Sequence, residues 1–286
     1  MSSYLNDFNR VLQEIAGRHR PHTVFADFLE LSVYAIANRI YKSDELEQLY
    51  MDCIKRYNND EAMGMSKLLA LTFNALRNNP RQDFLGNVFE CNNFGNALRG
   101  QFFTPYTVAT LCAQVTFGGT IPEVGYLTLG EPAAGGGCMV IAFADAMRSS
   151  GFDPTEQLLV VADDIDPLCF HMCYVQLSIL NIPALVRHHD TIKVETYRSL
   201  MTPSLANQFD KFEGFFNEDS TNTRRALDED SQTKYKYKEK DKINSITVVD
   251  ENHDAAHHET HSIILQDAAK KGKARVGQYG LFAYDC

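Results

Sequence analysis

The stretch from Gly125 to Met147, GYLTLGEPAAGGGCMVIAFADAM, constrains the fold more than any other part of the chain. Tyr126 to Leu129 is a short apolar run, Glu131-Pro132 interrupts it, and Gly135, Gly136 and Gly137 close a turn of small residues. Apolar residues at helical spacing follow. That order predicts strand, glycine turn and helix. Glycines remove Cβ atoms so that a ligand can approach the backbone, and the helix aims its free N–H groups at the same place. The unit is a ligand cradle.

The flanking sequence extends the pattern. A second strand, Leu158 to Ala162, ends in Asp163, Asp164 and Asp166, and a helix with Leu168, Met172, Val175, Leu177 and Leu180 follows it. A third short strand, Ala184 to Val186, ends in His188-His189-Asp190-Thr191. Strands alternating with helices predict an α/β fold of the doubly wound, Rossmann-like kind, with ligands at the carboxyl ends of the strands. Glu131, Asp164 and Asp190 would share that edge.

Upstream, residues 1–80 read as an N-terminal helical region of three or four amphipathic helices. Phe25, Phe28, Leu29, Leu31, Val33, Ile36 and Ile40, then Leu68, Leu69, Leu71, Phe73 and Leu76, are the candidate core. Pro80 marks the boundary. In GQFFTP (Gly100 to Pro105), Thr104 is an expected N-cap with Pro105 at the first helical position. Residues 81–212 make the expected core and 213–286 a polar, flexible tail. That tail includes a weak strand at Ile246 to Val249 and a short helix at Ile263 to Ala269.

The ends of the strands suggest which ligand fits. An acid closing the second strand, here Asp164, can accept hydrogen bonds from ribose hydroxyls. Glu131 beside the glycines would repel a pyrophosphate and suits an ammonium or sulfonium. A cationic ligand bearing adenosine satisfies both acids, and S-adenosylmethionine is such a molecule. The formal charge of −10 and pI near 5.4 argue against sequence-blind attraction to nucleic acid, while leaving room for a local basic groove or a DNA-reading partner. Asp7 and Arg10 stand where a signal peptide needs an apolar core, and no run has the length of a membrane span. The expectation is therefore a cytoplasmic protein without membrane association. Seven scattered cysteines read as reduced thiols.

Four motifs in order resemble the adenine-N6 DNA methyltransferases of type I restriction-modification systems, the modification-subunit family. They are GQFFTP at Gly100 to Pro105, EPAAGGG at Glu131 to Gly137, DIDP at Asp164 to Pro167 and HDTI at His189 to Ile192. DFLGNVFE (Asp83 to Glu90) is similar to the helix that leads into the family's first motif. The resemblance implies an S-adenosylmethionine-dependent methyltransferase core. Phe103 and Thr104 would touch the methionine end of the cofactor, Glu131 would hold its ammonium, and Gly135 and Gly137 would permit close approach. Asp164 would take the ribose hydroxyls, Ile165 would lie against the adenine, and Asp190 would accept from the adenine amino group. Ala134 and Gly136 stand where the family has cysteine and serine; both are small.

The family handles the target amine with an Asn-Pro-Pro-aromatic tetrapeptide. No Pro-Pro occurs in these 286 residues, and the proline that follows Asp190 is Pro203. No catalytic residue is therefore assigned. Two functions stay open: a DNA adenine-N6 methyltransferase (or its cofactor-binding portion) reading DNA through a separate specificity subunit in a restriction-modification complex, or a catalytically inactive binding protein. A gene interrupted ahead of the tetrapeptide is a third possibility. Cys169, His171 and Cys173 lie in one helical stretch whose spacing favours packing over zinc. His253, His257, His258 and His261 and the run Lys234 to Lys242 read as solvated.

Overall fold

The computed structural model describes residues 3–95 and 103–216. Expectations placed on Gly100, Gln101, Phe102 and residues 217–286 lie outside the described residues. Four helices open the chain: α1 (Ser3–Ile15), α2 (Pro21–Tyr41), α3 (Asp44–Ile54) and α4 (Asn59–Asn78). Local chemistry sets their ends. The Ser43 hydroxyl accepts from the Leu46 N–H at the start of α3, and Asn58 forms a reciprocal capping box with Glu61 at the start of α4. Glu61 also takes Arg18 in a two-toothed pair, at 2.9 and 2.7 Å, which ties the α1–α2 loop to α4. Helix α4 stops before Asn79-Pro80, as the proline requires. Phe73, expected in the core, is instead exposed, with the Arg77 guanidinium 5.9 Å over its ring.

Two more helices, α5 (Phe84–Cys91) and α6 (Tyr106–Thr116), precede the sheet. Helix α6 corrects the expected start. Its N-cap is Pro105 and no side chain caps it, so the helix begins at Tyr106 and Thr104 lies outside. Proline's fixed φ suits the cap, and its carbonyl already accepts from the Val108 and Ala109 N–H groups.

The remaining elements are β1 (Leu127–Glu131), α7 (Cys138–Ser149), α8 (Pro154–Gln157), β2 (Leu158–Asp164), α9 (Pro167–Ile179), β3 (Ala184–Asp190), β4 (Glu195–Met201) and α10 (Pro203–Asn207). A further helical stretch covers 209–216. The fold is mixed α/β, with a mostly parallel sheet compatible with a methyltransferase fold. Among the described residues, strand order is β1-β2-β3-β4 without reversal; β1, β2 and β3 are parallel and β4 is antiparallel to β3. The sequence reading lacked β4, and it ended β1 and β2 two residues early and β3 four residues early. Each parallel strand in fact carries its acid as its last residue.

Phe209, Phe212, Phe215 and Phe216 pack against the core, with Phe212 edge-on to Tyr126 at 4.9 Å, so ordered packing continues four residues past Phe212. Aromatic contacts also join the N-terminal helices to α5 and the segment after it, and α5 to the segment before α6. Phe8 meets Phe84 at 5.8 Å, Phe25 meets Phe94 at 5.2 Å, and Phe89 meets Phe103 at 5.0 Å. Each such pair contributes about 0.5–1.5 kcal/mol beyond the area it buries.

Beneath them lies a buried polar joint. Asp83 caps α5 by accepting from the Gly86 N–H at 2.9 Å, and the same Oδ1 accepts from Gln176 Nε2 at 2.7 Å. Burial raises the Asp83 carboxyl above its ordinary range, while the Gln176 and Gly86 N–H groups pull it down. A carboxyl raised on folding adds stability below its unfolded value near 3.9, and that stability is lost as pH rises through the folded value. Because both donors share one oxygen, the amide of Asp83→Asn satisfies them without a buried charge. Asp83→Asn is expected to be neutral or stabilising by about 1 kcal/mol at pH 7 and to flatten the stability profile above pH ~4. Urea unfolding at pH 4 to 8 checks this; a loss of stability equal at every pH would contradict it.

Candidate functional site: the carboxyl edge of the parallel strands

Asp163, Asp164 and Asp166 have three different tasks; the first two part because side chains alternate across a strand, and the third lies in the turn after β2. Asp163 points to one face and takes Arg187 of β3 through two bonds of 2.6 Å. Asp164 points to the other. Its Oδ2 accepts from the Gly135 N–H at 2.7 Å and its Oδ1 from the Asp166 N–H at 2.9 Å. Asp166 caps α9, accepting from the Leu168 and Cys169 N–H groups. Asp164 therefore joins the glycine turn of β1 to the turn after β2. Burial raises its carboxyl above the ordinary aspartate range, partly opposed by the Asp166 and Gly135 N–H groups.

The glycine turn is held on every side. The Ala134 N–H donates to the Asp163 carbonyl at 2.8 Å, and Gln176 Nε2 donates to the Gly136 carbonyl at 2.6 Å. Gly135 (φ +54°) and Gly137 (φ +98°) both occupy the left-handed region. A Cβ on Gly135 would lie 2.7 Å from the Phe103 ring; one on Gly137 would lie 3.3 Å from Cys173 Sγ. Gly135→Ala is accordingly expected to cost about 2 kcal/mol of stability and to push Phe103 off the turn. Thermal unfolding and the near-ultraviolet aromatic signal read both effects; a melting midpoint within 1 °C of the parent would contradict the close approach.

The predicted site residues fall along this edge. Phe103 lies against Gly135, and the Thr104 carbonyl accepts from the Cys138 thiol, 3.3 Å away, at the first turn of α7. Glu131, the last residue of β1, accepts from the Ala133 N–H at 3.2 Å. Ile165, next to Asp164, is 59% exposed. Asp190 closes β3 and turns inward: its Oδ1 accepts from Ile192 and Lys193 N–H groups at 3.1 and 3.0 Å, and Lys193 Nζ stands 3.5 Å from Oδ2. The Lys193 N–H above all holds the Asp190 carboxyl below its ordinary range. The Thr191 hydroxyl donates to the Pro132 carbonyl at 2.9 Å, which links the end of β3 to the glycine turn.

Sequence reasoning missed the supports of this edge. Gln176 is fully buried in α9 and reaches both Asp83 and Gly136; its Oε1 accepts from the Leu85 N–H at 3.0 Å. A lone amide within the otherwise apolar run of α9 was the available signal. His188 and its contact with Ile165 had none. Of the Cys169, His171 and Cys173 trio, Cys173 packs below Gly137 while His171 Nε2 faces Arg198 at 3.4 Å. Among the described residues, Asp27, Glu30 and Cys53 also have metal-ligand spacing. That cluster contains its own cation: Arg56 Nη2 is 3.1 Å from Asp27 Oδ1 and 2.9 Å from Cys53 Sγ.

Comparison with known families bears directly on this edge. A model of the N-6 DNA Methylase family matches residues 80–276, more than half of the chain. The chain belongs to the N-6 DNA methylase family. No curated protein and no solved structure matches it. The family match begins at Pro80, where α4 has just ended, and takes in α5, the glycine turn and the acid-tipped strands. Among the described residues no helix is long and apolar enough to cross a membrane.

Proposed function

We propose that this N-6 DNA methylase family member binds S-adenosylmethionine at the carboxyl edge of β1, β2 and β3, and transfers its methyl group to the exocyclic amine of adenine in DNA. The reading extends to the restriction-modification type, with sequence specificity supplied by a separate subunit. One observation carries it. Asp164 ends β2 with its carboxylate bridged to the glycine turn at 2.7 Å, leaving lone pairs for two ribose hydroxyls. Glu131 then faces the ammonium and sulfonium end, where its charge is favourable, and Phe103 bounds that end from the side. Ile165 offers an apolar face to the adenine, and Asp190 lies at the end of β3 to accept from the adenine amine. Dependence of the family on S-adenosylmethionine supports the choice of cofactor.

The chemistry of the cofactor is its own: an electrophilic methyl on sulfur. The chain's part is to hold the nucleoside and amino-acid ends in one orientation. A second reading is favoured by the absence of any Pro-Pro in the sequence, because that leaves the target amine without its usual acceptors. In it the chain binds the cofactor and transfers nothing by itself. Calorimetry with S-adenosylmethionine and transfer of labelled methyl to unmethylated DNA separate the two. Binding with transfer supports the enzyme, and binding without transfer supports the second reading. No binding at millimolar cofactor overturns both.

A further inference from the structure

His188 of β3 is the register partner of Asp164 on the neighbouring parallel strand, so both side chains leave the sheet on one face. The His188 Nε2 lies 2.9 Å from the Ile165 carbonyl oxygen. A carbonyl can only accept, so Nε2 carries the proton and donates. The ring is buried and held in place, with Tyr197 at 4.7 Å and Phe170 at 6.1 Å between centroids. Ile165 lies between two residues whose own bonds are already set: Asp164 is bound to Gly135 and Asp166, and Asp166 caps α9. Its carbonyl takes the His188 ring N–H from the neighbouring strand, and its side chain stands in solvent beside the acid.

We propose that His188 is a positioning residue for the nucleoside of the bound cofactor: by donating to the Ile165 carbonyl it fixes the turn from Asp164 to Asp166, so that acid and isoleucine present a hydroxyl acceptor and an apolar face in one orientation. This rests on the S-adenosylmethionine reading given above. A turn held from a second strand keeps its shape before the ligand arrives, and affinity rises because less ordering is left to binding. His188 itself touches no ligand. Its contribution passes through the Ile165 peptide.

Two substitutions separate the hydrogen bond from the packing. His188→Phe keeps a ring between Tyr197 and Phe170 and removes the donor. His188→Gln loses the ring and keeps an N–H near the position of Nε2. Calorimetric titration with S-adenosylmethionine and thermal unfolding without ligand are measured on the full chain and both variants. The expected result is a Kd about tenfold higher for His188→Phe, which is ~1.4 kcal/mol, and a Kd within threefold of the parent for His188→Gln. The melting midpoints are expected not to follow that order. Parent-like affinity in His188→Phe overturns the assignment. So does a loss of affinity in both variants that tracks their loss of melting temperature, since that is what simple packing predicts. If His188→Phe does not fold, His188→Gln decides alone: retained affinity supports the role, and a tenfold loss overturns it. A parent chain that fails to bind S-adenosylmethionine at millimolar concentration overturns the cofactor reading itself, and this inference with it.

Discussion

Asp164→Ala is expected to raise the Kd for S-adenosylmethionine by about a hundredfold, the largest binding effect of any single substitution at this edge. The carboxylate would lose two hydrogen bonds from the ribose, each worth ~1.5–3 kcal/mol when the acceptor is charged, and a hundredfold needs only about 2.7 kcal/mol. It would also release the Gly135 and Asp166 N–H groups that it now holds at 2.7 and 2.9 Å, so the two turns that shape the pocket come apart. The ionised form is the one that accepts, and burial raises the carboxyl above the ordinary aspartate range. Affinity in the parent should therefore fall on acidification at a pH above that of an exposed aspartate, and Asp164→Asn should lack this dependence. Calorimetry from pH 4 to 8 tests both points. A Kd for Asp164→Ala within threefold of the parent would remove the central contact of the proposed site.

Gln176→Leu should produce the largest loss of stability, about 3–5 kcal/mol, because it breaks a buried joint while leaving its partners in place. The Gln176 amide donates to Asp83 at 2.7 Å and to the Gly136 carbonyl at 2.6 Å, and it accepts from the Leu85 N–H at 3.0 Å. Leucine has similar volume, so the cost comes from three polar groups that each lose a bond and not from a cavity; Asp83 keeps the Gly86 N–H. Asp83 suffers most, being fully buried and already raised by burial. The melting midpoint should drop by on the order of 10 °C. Because the Gly136 carbonyl lies in the glycine turn, the affinity for S-adenosylmethionine should fall as well. A drop of under 2 °C would mean that the joint is not structural.

Much of the site was readable because its parts are local. A glycine turn needs glycines where φ is positive, and Gly135 and Gly137 are such positions. β2 and β3, buried on both faces, read as apolar runs, and β1 as a shorter one; Glu131, Asp164 and Asp190 are the acids that end the three strands. The strand β4 was not readable. Its sequence, ETYRSLM, is half polar, and the turn before it uses Val194 at φ +59° in place of the glycine or asparagine that marks a hairpin. The helix after Pro105 was placed one residue early because proline fits both the cap and the first turn.

The sequence by itself determined the alternation of the three parallel strands with their helices, the glycine turn and the acids at the strand ends, and with them the N-6 DNA methylase family. These follow from spacing along the chain, which pattern and propensity record directly. Tertiary structure decided which acid does what and what holds the cradle still. Asp163 and Asp164 are adjacent letters that alternation sends to opposite faces, one to Arg187 and the other to the glycine turn. Gln176 stands ninety-three residues from Asp83 and forty from Gly136, and His188 stands twenty-three from Ile165. Contacts at such separations depend on strand register and on helix packing across the sheet, and no local pattern encodes the distance between their partners.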